Sequence, residues 1–269
     1  MKLRGLLALA ALFCAPLAAA DSLKGLDGLD RRGELLGWEG VGRIDLPGGL
    51  CTGVLIAPDA VLTAAHCVHD RSVEDGILFR AGYAHGTSMA DRRVSRIVLA
   101  PGYRGTSQGR IGGDMVRHDV ALLRLAAPIS SAEADPFRIF DGSAPGARVS
   151  VVSYGRGREE ALSRQADCAI TQVYRHGIMG FDCNVTFGSS GAPVFVRQDG
   201  RLRILSLISG GTAPGQAGGE AYGMSLPDVV QPLMAELRRD DARPKVTNGA
   251  RRVIVGQRTS AGGAKFVRP

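Results

Sequence analysis

The sequence predicts an all-β protein closed off by one C-terminal α-helix. From residue 41 onward the chain is a succession of short apolar runs broken by Gly, Pro and Asp, which is the texture of many short strands joined by tight turns. No strand–helix rhythm points to a parallel sheet, and neither a long internal repeat nor a dinucleotide-type glycine motif is present. Only one segment keeps a helical period. Ser225-Leu226-Pro227-Asp228 has a capping-box pattern with an acid in the first turn and a proline near the start. Val229, Val230, Leu233, Met234 and Leu237 then fall on one helical face. This helix is predicted to end near Arg239.

In chain order, Lys2 and Arg4 precede an apolar run at 6–12, and Ala18-Ala19-Ala20 precedes Asp21. This is the pattern of a secretory signal, residues 1–20, cut after Ala20, and it is too short and wrongly flanked for a membrane span. A lipid-modified Cys14 is the competing reading, set aside because the bulky Phe13 stands where a small residue is expected. Residues 21–37 are polar and Gly-rich and read as an N-terminal arm or short propeptide. Strands are expected at 41–46, 51–57, 60–64, 77–81, 93–100, 120–125, 149–154, 169–173, 192–197, 202–209 and 221–225. The Gly-rich stretch 103–115 reads as an exposed loop, and 127–147 as a linker between two halves.

The chain has 269 residues, enough for one large or two-lobed domain, and a formal charge of +7. The charge is unevenly spread. Residues 238–269 hold nine Lys/Arg against two Asp, a balance equal to that of the whole chain. The body is therefore close to neutral, and the tail reads as a disordered basic segment able to touch acidic surfaces. Removing the signal leaves Cys51, Cys67, Cys168 and Cys183. An even number in an exported chain reads as disulfides, with three possible pairings. The sequential pairing closes two short loops, each stabilising by about 3 kcal/mol in the loop-entropy model.

Three short segments carry chemistry. Gly188-Ser189-Ser190-Gly191-Ala192-Pro193 is a tight turn able to present a hydroxyl and aim backbone amides at one point. Taken alone it reads more readily as a flexible Gly/Ser turn, which is common. Leu62-Thr63-Ala64-Ala65-His66-Cys67 places a histidine at the end of an apolar strand, beside a cysteine suited to a disulfide. No second ligand pair near His66, Cys67 and His69 has metal spacing. Asp119-Val120-Ala121-Leu122-Leu123 puts an acid just before a buried-looking strand, where it is either a turn residue or a carboxylate that orients an imidazole.

Together these segments resemble the chymotrypsin-like (trypsin-fold) serine proteases, over roughly residues 41–237. The order His, Asp, Ser also matches, and it excludes an α/β-hydrolase, whose order is Ser, acid, His. The resemblance implies two six-stranded antiparallel β-barrels, about 38–130 and 145–237, inside a peptidase domain of 38–237. It implies catalytic roles for His66, Asp119 and Ser190, an oxyanion hole from the amides of Gly188 and Ser190, and a Cys51–Cys67 bridge bracing the histidine turn. It implies no metal and no cofactor. The expected partner is a protein or peptide substrate, with no specific nucleic acid, and the expected state is a secreted or periplasmic monomer. The alternatives in other classes are a catalytically silent binding protein on the same fold and an esterase.

Two departures matter. Trypsin-like digestive enzymes carry Asp just before the nucleophile, pairing with an N-terminus freed by zymogen cleavage, and Ser189 stands there in this chain. Arg110-Ile111-Gly112-Gly113 looks like an activation site but lies between His66 and Asp119, so it cannot supply that terminus. Ser189 and the few cysteines look more like the bacterial glutamyl-endopeptidase-like branch. The nearby cysteine pair Cys168 and Cys183 is the brace then expected for the nucleophile loop. By the resemblance, Asn184, Phe187, Ser209, Gly210 and Gly211 wall the substrate pocket. Glutamyl endopeptidases have a histidine where Ile208 stands, so no strong Glu preference is expected. Glu220 is the residue that would favour Lys or Arg.

Overall fold

The computed structural model describes residues 25–105, 112–212 and 219–241. The signal at 1–20, Arg110-Ile111 and the tail from 242 onward lie outside the described residues. The short strand β1 (Leu26–Gly28) belongs to the N-terminal arm. β2 (Val41–Leu46), β3 (Gly49–Ala57), β4 (Ala60–Thr63), β5 (Leu78–Ala81), β6 (Ala90–Leu99) and β7 (Ala121–Leu125) close an antiparallel barrel in the order β2-β3-β4-β7-β6-β5. A one-turn helix α1 (Gly113–Val116) lies between β6 and β7. The second half contains β8 (Arg148–Gly155), β9 (Arg158–Val173), β10 (Ile178–Phe181), β11 (Pro193–Gln198), β12 (Arg201–Leu207), β13 (Gly210–Gly211) and β14 (Ala221–Met224). They form a curled sheet in the order β12-β11-β8-β9-β10-β14-β13, with β1 added to β9. The helix α2 (Pro227–Asp241) ends the described chain.

The strands read as continuous apolar runs because both faces are buried. On β7, Ala121, Leu123 and Leu125 fill the barrel while Leu122 faces a second core between the halves. On β8, Val149 and Val151 fill the curled sheet, and Val152 and Tyr154 face the same shared core. That shared core also takes the apolar stripe of α2, through Val230, Leu233 and Leu237. Each of these side chains contributes about 1.5–3 kcal/mol of burial. The stretch 127–147 joins the halves as expected and stitches them together. Phe137 N–H donates to Leu55 O (2.8 Å), Phe140 N–H to Ile204 O (2.8 Å), and the Phe137 ring packs on Phe195 at 4.7 Å between centroids.

The elements the sequence hid are the polar or very short ones. β9 runs 16 residues rather than the five expected, because its first part, Arg-Glu-Glu-Ala-Leu-Ser-Arg-Gln, is polar at both ends and fully buries only Ala161, Leu162 and Ser163. β10 holds only four residues, one of them Gly180. At α2 the first accepting carbonyl is Leu226 O, bonded by the amides of Val229 and Val230, while Ser225 N–H is spent on Gly177 O. The helix therefore starts one residue later than a cap at Ser225 would place it.

Candidate active site

His66 sits in a 3₁₀ turn (Ala65–Cys67) directly after β4. The Cys51–Cys67 disulfide ties that turn to β3, and Cys168–Cys183 ties β9 to the segment after β10, so the pairing is sequential. Asp119 lies in the connection into β7 and is fully buried. Its carboxylate accepts from His66 N–H through Oδ1 (2.8 Å) and faces His66 Nδ1 through Oδ2 (2.8 Å). The Ser209 hydroxyl also donates to Oδ2, at 2.5 Å. A buried carboxylate needs such donors to stay charged. Because a carboxylate only accepts, Nδ1 carries the proton and Nε2 is left as the basic nitrogen. The ring itself is partly exposed.

The turn Gly188–Pro193 comes from the second half but rests on the first barrel. Thr52 N–H donates to Ser190 O (2.9 Å) and Thr52 Oγ1 donates to Gly188 O (2.8 Å). Thr52 Oγ1 in turn accepts from Tyr154 N–H (3.0 Å), and Thr63 Oγ1 donates to Thr52 O (2.8 Å). Gly191 has φ +77°, and a Cβ there would overlap Thr63 Oγ1, Thr52 O and Ala64 N. Only glycine permits this approach of the serine turn to the strand that leads into His66. Among the described residues, the amides of Gly188 and Ser190 donate to nothing, whereas the neighbouring amides of Ser189, Gly191 and Ala192 are all bonded to carbonyls. No hydrogen bond joins His66 Nε2 to Ser190 Oγ among the described residues; such bonds are often long in unliganded enzymes and tighten with substrate.

Ser189 is fully buried. Its hydroxyl meets Ser153 Oγ (3.1 Å) and Arg158 Nη2 (3.4 Å), and accepts from Thr186 N–H at 3.3 Å. Burial pushes the Arg158 guanidinium down to about 10, so it stays charged at neutral pH.

The expected pocket residues have mixed surroundings. β13 pairs with β14 in the register Gly210↔Tyr222 and Gly211↔Ala221, and Val185 approaches Gly211. Asn184 N–H donates to Gln165 Oε1 (2.6 Å). Phe187 is 62% exposed, with the Arg156 guanidinium 4.2 Å from its ring centre. Ile208 is buried in the core of the curled sheet, and Ser209 spends its hydroxyl on Asp119. The Glu220 carboxylate accepts from Thr171 Oγ1 and from Tyr174 OH (2.9 Å). Burial pushes the Glu220 pKa up, but hydrogen bonds from Thr171, Tyr222 and Tyr174 outweigh it and hold the group below the ordinary carboxylate range. Cys51, His66 and Cys67 converge, as do Cys168, Asp182 and Cys183, but all four sulfurs are engaged in disulfides and offer no thiolate. Sequence reasoning missed Thr52, Ser153 and Arg158. The available signal for Thr52 was a hydroxyl inside an otherwise apolar strand, since a buried hydroxyl requires partners.

The sequence profile of a trypsin-like peptidase domain matches residues 51–203, more than half of the chain. The chain belongs to the trypsin-like peptidase family. Among curated relatives, mouse complement C2 is 36% identical over 82 residues, which is 29% of this chain and 11% of that protein. Mouse serine protease 23 is 27% identical over 192 residues, 60% of this chain and 48% of that protein. The chain thus spans less than half the length of these relatives. Among solved structures, mouse neuropsin, a serine protease expressed in the limbic system, superposes with a TM-score of 0.60 at 18% identity, over 74% of this chain and 95% of that one. At that identity the likeness speaks for the chymotrypsin fold alone. Among the described residues no helix is long and apolar enough to cross a membrane.

Proposed function

We propose that this family member is an exported serine endopeptidase acting through His66, Asp119 and Ser190 and an acyl-enzyme intermediate. Ser190 Oγ attacks the scissile carbonyl while His66 Nε2 takes its proton. The same imidazolium then protonates the leaving amine, and water repeats the sequence to release the acid. Asp119 fixes the tautomer and offsets the imidazolium charge, and the Gly188 and Ser190 amides receive the oxyanion. The single observation that carries this reading is the buried Asp119 carboxylate receiving both His66 N–H and Nδ1 at 2.8 Å. The two unspent amides flanking Ser189 support it.

Export rests on the signal-like residues 1–20 and the two disulfides, and gives a secreted or periplasmic location. The peptidase domain is taken as 38–237, followed by the basic tail. Ser189 in place of an acid favours the bacterial glutamyl-endopeptidase-like branch, and the core position of Ile208 argues against a strong Glu preference. Asn184, Phe187, Gly210, Gly211 and Glu220 remain the candidates for the substrate pocket, and Glu220 would favour a basic side chain. Purified chain lacking residues 1–20 is expected to degrade casein, and Ser190→Ala to lose that activity. Hydrolysis of small esters with casein untouched would favour an esterase, and no turnover of either would favour a binding protein. A peptide panel varied only before the scissile bond tests specificity, and a tenfold preference for Glu would overturn the argument from Ile208.

A further inference from the structure

We propose that Arg158 is a positioning residue that holds the Ser190 turn in its working conformation from within the fold, so that no newly freed chain terminus is needed. The inference rests on the catalytic reading of Ser190. Arg158 begins β9, just past the β8–β9 turn, and its side chain folds back inward. Nη1 donates to Ser153 O (3.2 Å), and Nη2 donates to Ser153 Oγ (3.3 Å) and Ser189 Oγ (3.4 Å). Ser153 is 2% exposed and Ser189 fully buried, so the guanidinium is aimed into the floor beneath the nucleophile. It packs against Gly155, where a Cβ would stand 2.8 Å from both Nη2 and Thr186 Cγ2. Thr186 N–H donates to the same Ser189 hydroxyl, and Ser189 N–H donates back to Thr186 O (3.0 Å).

No carboxylate pairs with Arg158 among the described residues. The nearest acid in sequence, Glu159, turns its Oε1 to the Gly157 amide. A cation reaching inward to neutral serines is costly unless something uses its charge or its donors. Two uses are open to it here. Its donors fix the Ser153 and Ser189 hydroxyls, and Ser189 lies between the two amides that would receive the oxyanion. Its positive charge reaches the hydroxyl of Ser189, the residue next to the nucleophile, where it favours charge developing as an oxyanion. Both uses act on the transition state more than on substrate binding.

The test is the rate of labelling by a fluorophosphonate, together with kcat and KM on a peptide substrate, for wild type, Arg158→Met, Arg158→Lys, Ser189→Ala and the Arg158→Met/Ser189→Ala double variant, each checked for folding by circular dichroism. Arg158→Met is expected to lose about 10- to 100-fold in labelling and kcat, as for a displaced oxyanion donor, with KM within about twofold. Arg158→Lys is expected to recover part of the loss. The double variant is expected to be slower than Arg158→Met alone by less than the Ser189→Ala loss, because both changes remove the shared Arg158–Ser189 contact. An N-terminal extension placed ahead of Asp21 is expected to leave the wild-type labelling rate unchanged. Labelling of folded Arg158→Met within threefold of wild type, strictly additive losses in the double variant, or dependence on a free terminus overturns the proposal. Should Arg158→Met fail to fold, Ser189→Ala decides: a wild-type rate there overturns the proposal, and a loss there with a smaller loss in Arg158→Lys upholds it. Absence of labelling in wild type overturns the catalytic reading itself, a result distinct from an indifferent Arg158.

Discussion

The two halves of the molecule hold their share of the site by different means. The first barrel closes on itself, and it secures His66 with a disulfide at the neighbouring residue and with a buried carboxylate that takes two bonds from one residue. The second half is a curled sheet, and it secures the Ser190 turn with neutral hydroxyls, backbone bonds and one guanidinium. Thr52 belongs to the first barrel yet bonds both Gly188 O and Ser190 O, so the serine turn is positioned from the opposite half. The lesson is that the base is fixed by charge and covalent bonds, whereas the nucleophile is fixed by a net of weaker contacts. Perturbations should therefore act steeply on one side and gradually on the other.

The steepest is Asp119→Asn. An amide can present its NH₂ to Nδ1 and reverse the tautomer, so kcat is expected to fall by on the order of 10⁴, as in the serine-protease template from which that magnitude comes, and peptide hydrolysis measures it. A loss below tenfold would break the contrast. The disulfides come next. Cys51→Ala/Cys67→Ala and Cys168→Ala/Cys183→Ala remove bridges that close loops of nearly equal length, with separations of 16 and 15, and each is expected to cost about 3 kcal/mol in denaturant unfolding. Sharply unequal losses would show that one half relies on its bridge far more than loop entropy implies. Ser209→Ala removes the hydroxyl donor that the second half gives to Asp119, and about a tenfold fall in kcat is expected, equivalent to roughly 1.4 kcal/mol. The smallest effect is expected from Tyr154→Phe. It deletes the hydroxyl that donates to Tyr83 O (2.9 Å), at about 1 kcal/mol of stability by thermal or denaturant unfolding, with kcat unchanged.

The same contrast decides what could be read from the sequence. Strands buried on both faces, such as β4, β7 and β11, announce themselves as apolar runs, and the His66 and Ser190 segments are dense with small residues that need a reason. The first part of β9 buries only Ala161, Leu162 and Ser163 between polar residues, and β10, although Met179 and Phe181 enter a core, is too short to set a period, so neither carries a comparable signal. The hydroxyl net was equally hidden. Thr52, Ser153 and Ser209 acquire meaning only from partners 102, 36 and 90 residues away, and no local pattern encodes those distances. Arg158 was obscured within a run of charged residues that otherwise faces solvent. The Cys168–Cys183 bridge expected to brace the nucleophile loop is present, but the contacts on Ser189 itself come from Ser153, Thr186 and Arg158.

The central claim is that Ser190, supported by His66 and Asp119, is the nucleophile. Reaction of the purified chain with a fluorophosphonate, followed by mass-spectrometric mapping of the adduct, tests it most directly. The account predicts one adduct per chain, on Ser190, absent from Ser190→Ala and slowed by orders of magnitude in His66→Ala. An adduct on Ser189 or elsewhere, or an unmodified wild-type chain, would contradict it.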